Sequence, residues 1–306
     1  MAQRCDEPMK PGSGTSSVAI HRQLRSTCQF RLESLLIEIR RTAAYPEADA
    51  IHDLRVAIRR GTEVLHVMKI AAVPHRRVLA RLIKHLRLAR RAGGAVRDCD
   101  VLLQMMAHRP THGERIAIFE RQIHKLTLKR IDALNTLTYR LQAGYFAPAI
   151  RETIAVLTIR PNGRPRLSLQ EALALRLEKN QRHFAAMIRK AIQDPIDRRL
   201  HRARIAAKHW RYALEMCPAE MKSDARHCSR RLPQLKAIQE LLGNIHDLEM
   251  LGSQFAVLPA DNSADRSPTG HSAWLRQTRR KRNVLVRKFF QTPLLRAMLT
   301  LQNVKT

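Results

Sequence analysis

A decapeptide of this chain returns in altered form 149 positions later, and the same shift brings back a second segment. Residues 51–60, Ile51-His52-Asp53-Leu54-Arg55-Val56-Ala57-Ile58-Arg59-Arg60, are matched by residues 200–209, Leu200-His201-Arg202-Ala203-Arg204-Ile205-Ala206-Ala207-Lys208-His209. Gly94-Ala95-Val96-Arg97-Asp98 falls on Gly243-Asn244-Ile245-His246-Asp247. Two matches at one offset require equal spacing within each half. A chain of 306 residues therefore reads as two copies of a unit of about 150 residues, each near the usual domain size. Whatever fold forms must be built twice.

Apolar residues recur at helical spacing nearly throughout, and no segment shows the period-two alternation of a half-buried strand. The periodicity predicts helices over 19–44, 49–71, 74–107 and 113–141, with a short fifth segment beyond Gly144. The second half repeats them over 168–193, 197–216, 221–257 and 271–290, followed by 293–302. Pro46, Pro74, Pro110, Pro195, Pro218 and Pro259 stand between the segments, and Pro110 and Pro259 obey the same shift. Residues 1–17 read as a disordered lead-in, 18–157 as the first repeat, 158–168 as a linker and 169–306 as the second repeat. The expected fold class is all-α, with two tandem four-helix bundles related by a pseudo-twofold axis.

What the copies share is chiefly cationic. Lysine and arginine number 56 against 26 aspartates and glutamates, a formal excess of +30, while 44% of residues are hydrophobic. That apolar share supports folded cores, so the charge belongs to a folded surface and calls for a polyanionic partner. No run approaches the roughly 18 apolar residues of a membrane span. The five cysteines form no C-x-x-C pair, so free thiols in a reducing cytoplasm are expected, without zinc or a disulfide framework.

At about 100° per residue, His52, Arg55 and Arg59 fall on one helix face beside the apolar stripe Ile51, Leu54, Ile58 and Leu65. His201, Arg204, Lys208 and Arg211 repeat the basic face beside Leu200, Ala203, Ala207 and Leu214. On the next helix Arg77, Arg81, Lys84, Arg87 and Arg91 share a face, and Arg226, Arg230 and Lys236 take the places of Arg77, Arg81 and Arg87. One basic stripe is ordinarily a solvated surface. Four at matching positions, poor in compensating acids, point instead to phosphate oxygens, which the arginine fork grips in bidentate fashion. Arg97 and His246, at equivalent places, complete the candidate set. Asp98 and Asp247 also recur; they are expected to orient nearby arginines through salt bridges, the alternative being ordinary interhelical ion pairs.

These strings resemble the paired signature helices of the CHAD domain, the conserved histidine α-helical domain. His52 through Arg60, His201 through Glu215, and the two Gly-x-x-x-Asp segments carry the resemblance, which spans about residues 18 to 302. It implies two four-helix bundles with a basic central surface that binds inorganic polyphosphate, often on storage granules, with contacts from His52, Arg55, Arg59 and Arg60 and from His201, Arg204, Lys208 and Arg211. The chain departs from the family at Gly61-Thr62, where Leu-Arg is usual. An interior glycine disfavours a helix by about 1 kcal/mol relative to alanine, so a weakened or kinked helix is expected there, and Thr62 lacks the cation of its counterpart Arg211. Many relatives carry a CYTH-type triphosphatase domain. Its Glu-x-Glu-x-Lys signature does not occur here, so a stand-alone, non-enzymatic binding module with no cofactor is expected.

The dyads His52-Asp53 and His246-Asp247 invite a metal-dependent phosphohydrolase reading. Neither survives in the other copy, where His201-Arg202 and Arg97-Asp98 stand, and the surrounding arginines would repel a divalent cation. A nucleic-acid partner ranks second to polyphosphate. Aromatics are only 4% of residues and do not interleave with the basic stripes as a base-stacking surface requires. Trp210, Tyr212, Phe289 and Phe290 read as core, and Gly93-Gly94 as a place for close helix packing. The expectation is a cytoplasmic protein, associated with polyphosphate granules, with no membrane partner.

Overall fold

The computed structural model describes the backbone of residues 13–71, 76–107, 116–142, 144–158, 167–218, 222–256 and 270–295. Among these residues there are helices and short turns but no strand. The first half holds α1 (Ser13–Ala44), α2 (Ala48–Ile70), α3 (Arg76–Ala107), α4 (Ile116–Gln142) and α5 (Phe146–Thr158). The second holds α6 (Leu169–Gln193), α7 (Asp197–Leu214), α8 (Lys222–Ala256) and α9 (Gly270–Phe290). The 149-residue shift carries the end of α1 onto the end of α6, the start of α2 onto that of α7, and the end of α3 onto that of α8. Pro46 and Pro195 sit just before α2 and α7. Their fixed φ and missing N–H suit the entry of a helix, and their restriction of the preceding residue ends the helix before it.

Two expectations are corrected and one is met. Helix α1 begins at Ser13, inside the stretch read as lead-in, while residues 1–12 lie outside the described residues. The short fifth segment expected beyond Gly144 is α5, whose Ile150 and Leu157 are buried and which packs on α1 and α3. Helix α2 runs unbroken through Gly61. A Cβ there would lie 2.7 Å from Leu35 Cδ2, so the glycine admits α1 against α2 rather than weakening the helix. The linker and the segment beyond residue 295 lie largely outside the described residues.

Each half packs its apolar stripes inward. In α2, Ile51, Leu54, Ile58 and Leu65 are fully buried with Leu24, Leu32 and Leu35 of α1. In α7, Ala203, Ala207 and Trp210 pack with Phe184, Leu235, Ile238 and Phe289, so the aromatics read as core are core. A third cluster joins the halves where Cys99, Leu102 and Met106 of α3 meet Phe119, Leu126 and Leu251. The helix pairings repeat between halves, α1 with α2 as α6 with α7, α2 with α3 as α7 with α8, and α3 with α4 as α8 with α9. Across the middle, α2 lies against α6 and α7, and α3 against α8.

A cationic trough between the two halves

Because apolar stripes face each bundle's interior, the neighbouring basic faces of α2 and α7 turn towards the seam between the bundles. They line a trough of about 550 Å³. Corresponding residues meet there: Arg55 with Arg204, and Arg59 with Lys208, each pair close enough to perturb the other's charge. Such reciprocal contact is what a two-fold relation between copies produces. At Gly93, α3 passes near α2: a Cβ there would stand in ordinary contact with the Arg55 stem, at 3.5 Å.

Like charges without carboxylate partners dominate the trough. Burial, reinforced by Arg59, Arg204, Arg55 and Arg211, pushes the Lys208 ammonium down to about 6. Burial and then Arg59 bring Arg55 down to about 10. Burial and then Arg204 hold His246 down at about 4, and His201, whose ring centre is 4.7 Å away, is also lowered by burial and Arg204. Arg55 Nε, Arg204 Nε and His201 Nδ1 are buried and have no hydrogen-bond partner among the described residues. Buried polar atoms in folded proteins are normally paired, and leaving one unpaired costs about 1–3 kcal/mol. The residues that carry these donors line the concavity, whose chemistry suits an anion with many oxygens.

The candidate residues divide by position. Arg55, Arg59, Arg87, His201, Arg204, Lys208 and His246 line the trough, as does Asp98. Arg60, Arg211 and Lys236 line a different cleft, and Glu215 takes both arginines: Arg60 Nε at 3.0 Å and Arg211 Nε at 3.2 Å. Arg97 and Asp247 line a third cleft, against α9. His52 is exposed outside the trough, where burial and Arg97 lower it. Arg77, Arg81 and Lys84 are exposed on α3 away from the trough. The side chains of Arg226 and Arg230 lie outside the described residues. Asp98 and Asp247 form no salt bridge among the described residues, so the expected direct pairing is corrected. Asp98 favours charged Arg55, and both carboxylates favour charged Arg204, through the field alone.

Sequence reasoning missed one wall. Arg176, Lys179, Asn180 and His183 of α6 line the trough, with His66, Arg90 and His209. Their spacing on α6 is helical, but their counterparts in α1 are Thr27, Phe30, Arg31 and Ser34, so the repeat gave no prompt. Within this wall Glu63, almost wholly buried, accepts from Arg176 Nε at 2.8 Å and Nη2 at 3.0 Å and lies 2.6 Å from His209 Nδ1. Burial alone would raise the Glu63 carboxyl; the bonds from His209 and Arg176 outweigh it and hold the group down near 2.

Among the described residues no group of three or more His, Cys, Asp or Glu side chains can hold a metal ion, and no helix is long and apolar enough to cross a membrane. None of the curated proteins matches the chain. Two solved structures share the fold. The CHAD domain from the plant Ricinus communis superposes with a TM-score of 0.60 at 20% identity, covering 92% of this chain and 91% of that one. PptA from Streptomyces chartreusis gives 0.52 at 16% identity, covering 92% and 99%. The family model of the CHAD domain matches residues 28–256, which take in α2, α3, α7 and α8 with every trough residue named above. With most of its length so matched, the chain belongs to the CHAD domain family.

Proposed function

We propose that the chain binds inorganic polyphosphate in the trough between its bundles, without chemical turnover. The observation that carries this reading is the meeting of Arg55, Arg59, Arg204 and Lys208 with, among the described residues, no carboxylate bonded to them and with buried donors of Arg55 and Arg204 unpaired. A flexible chain of closely spaced phosphates meets that demand with many oxygens at once, each charge-assisted bond contributing roughly 1.5–3 kcal/mol. The carboxylate–histidine pair at the wall, Glu63 with His209, is tied up by Arg176, and among the described residues Asp98 is the one carboxylate that lines the trough, beside a His246 held down at about 4. Within a cell such a protein would sit in the cytoplasm and on polyphosphate granules.

Nucleic acid is the second reading, favoured by the net charge. Against it stand the few aromatics at the trough: among the described residues Tyr212 is the single aromatic lining it outside the histidines, and that ring is buried beside Arg211. Competition separates the two. Labelled long-chain polyphosphate is bound, then challenged with equal phosphate equivalents of DNA or RNA. Retention of polyphosphate is expected, and displacement by nucleic acid would reverse the ordering. Phosphate released on incubation with divalent metals would contradict the absence of turnover.

A further inference from the structure

The centre of the trough obeys the repeat, but its flanks do not. From Arg55, Arg59, Arg204 and Lys208 one flank runs between α3 and α6. The 149-residue shift carries that flank onto the cleft lined by α1, α2, α7 and α8. Each flank has a carboxylate that consumes arginines. Glu63 takes Arg176 in the first, whereas Glu215 takes Arg60 and Arg211 in the second and lies 3.8 Å from Arg31. What remains differs sharply. The first flank keeps Arg87, Arg90, Arg91 and Lys179, none with an ion-pair partner among the described residues. In the second, among the described residues, Lys236 alone of the lining cations has no ion-pair partner, and the nearby Glu38 and Asp53 are held by Arg41. Where Lys179 stands, the other copy has Phe30, 68% exposed; where Arg91 stands, it has Glu240.

We infer that the anion path is one-armed: a polyphosphate strand held at the Arg55–Arg204 centre leaves the trough between α3 and α6, over Arg91 and Lys179, and not through the equivalent cleft beside Glu215. This rests on the polyphosphate reading of the trough. It assigns Arg90, Arg91 and Lys179 to chain length: they touch a long strand, while a short oligomer fills the centre alone. The other way out offers a strand little to grip, since Glu215 holds Arg60 and Arg211 while Arg41 holds Glu38 and Asp53, so one strand, and not two, fits each chain.

Two charge-matched variants of the full chain at exposed positions test this, with a thermal melt of each to control for the Arg60–Glu215 pair that the second breaks: Arg91→Gln with Lys179→Gln, and Arg60→Gln with Lys236→Gln. Affinities for long-chain polyphosphate and for tripolyphosphate are measured across a salt series. The first variant is expected to bind the long chain roughly tenfold more weakly, with a log–log salt slope shallower by about 1.4, and to bind tripolyphosphate within about twofold of wild type. The second is expected within about twofold of wild type for both ligands. Equal losses in the two variants for the long chain would overturn the one-armed path while leaving the trough itself in place. A wild-type chain that binds neither ligand would instead overturn the functional reading, and this inference with it.

Discussion

Glu63 on α2 and Arg176 on α6 form a two-pronged ion pair across the halves, 2.8 and 3.0 Å long, with the carboxylate side chain 1% exposed. Its partners in sequence lie 113 residues away, so the bond ties one bundle to the other where the trough wall rises. Breaking a buried pair by removing one partner strands a charge and costs about 3–5 kcal/mol. Glu63→Gln is therefore expected to destabilise the protein by that order in denaturant unfolding; a change within about 0.5 kcal/mol would contradict the role. The pH dependence follows from the same bond. The folded carboxyl is held near 2 against an ordinary 4.5, so its contribution is full above pH 4.5 and lost as pH falls through about 2. In Glu63→Gln that part of the acid transition disappears.

Lys208 works the opposite way. Its ammonium is pushed from 10.5 to about 6 by burial among arginines, so the unfolded chain binds the proton more readily throughout that window. Stability of the free protein should rise with pH from about 6 to about 10 on this account. Lys208→Met is expected to stabilise the free protein near neutral pH, on the order of 2 kcal/mol, and to flatten that rise. The same variant should bind polyphosphate roughly tenfold more weakly. A less stable variant would contradict strain from like charge around Lys208.

Anion binding and protonation are linked at this residue. A polyanion neutralises Arg59, Arg204 and Arg55 around Lys208 and restores its proton, so binding at about pH 7.5 takes up protons and affinity increases as pH falls towards 6. His201, His66 and His246, all lowered by burial and nearby cations, extend the increase below pH 6. Calorimetric titrations in two buffers of different ionisation enthalpy measure the uptake directly. Identical heats in the two buffers would exclude the linkage.

Gly61 offers a packing test. Its α-carbon faces Leu35, which is fully buried, and a leucine at this point would be driven into the contact between α1 and α2. Gly61→Leu should lose about 1–3 kcal/mol or more despite leucine's better helix propensity. A stabilised variant would show that the glycine is not what brings the helices together.

The repeat made the helices and the centre of the trough legible, because both halves spell Arg55 and Arg204, and Arg59 and Lys208, beside the same apolar stripe. It could not reveal the trough-lining face of α6, where Lys179 and His183 correspond to Phe30 and Ser34 in the other copy. Nor could it show that Arg60 and Arg211 are spent on Glu215, since Arg60 and that acid are 155 residues apart and meet only through tertiary packing. Periodicity gives the face a side chain occupies. Which carboxylate arrives opposite it is decided by the packing of other helices, and there the expected salt bridges of Asp98 and Asp247 failed.

Arg55 and Arg204 meet at the centre of the proposed anion site. Long-chain polyphosphate affinity of Arg55→Gln with Arg204→Gln, set beside that of Arg77→Gln with Arg81→Gln on the outer face of α3, tests it most directly. The first pair should lose about a hundredfold or more and the second less than about threefold, although each removes two charges. Equal losses would mean that polyphosphate follows net charge over the whole surface, and that the trough is not its site.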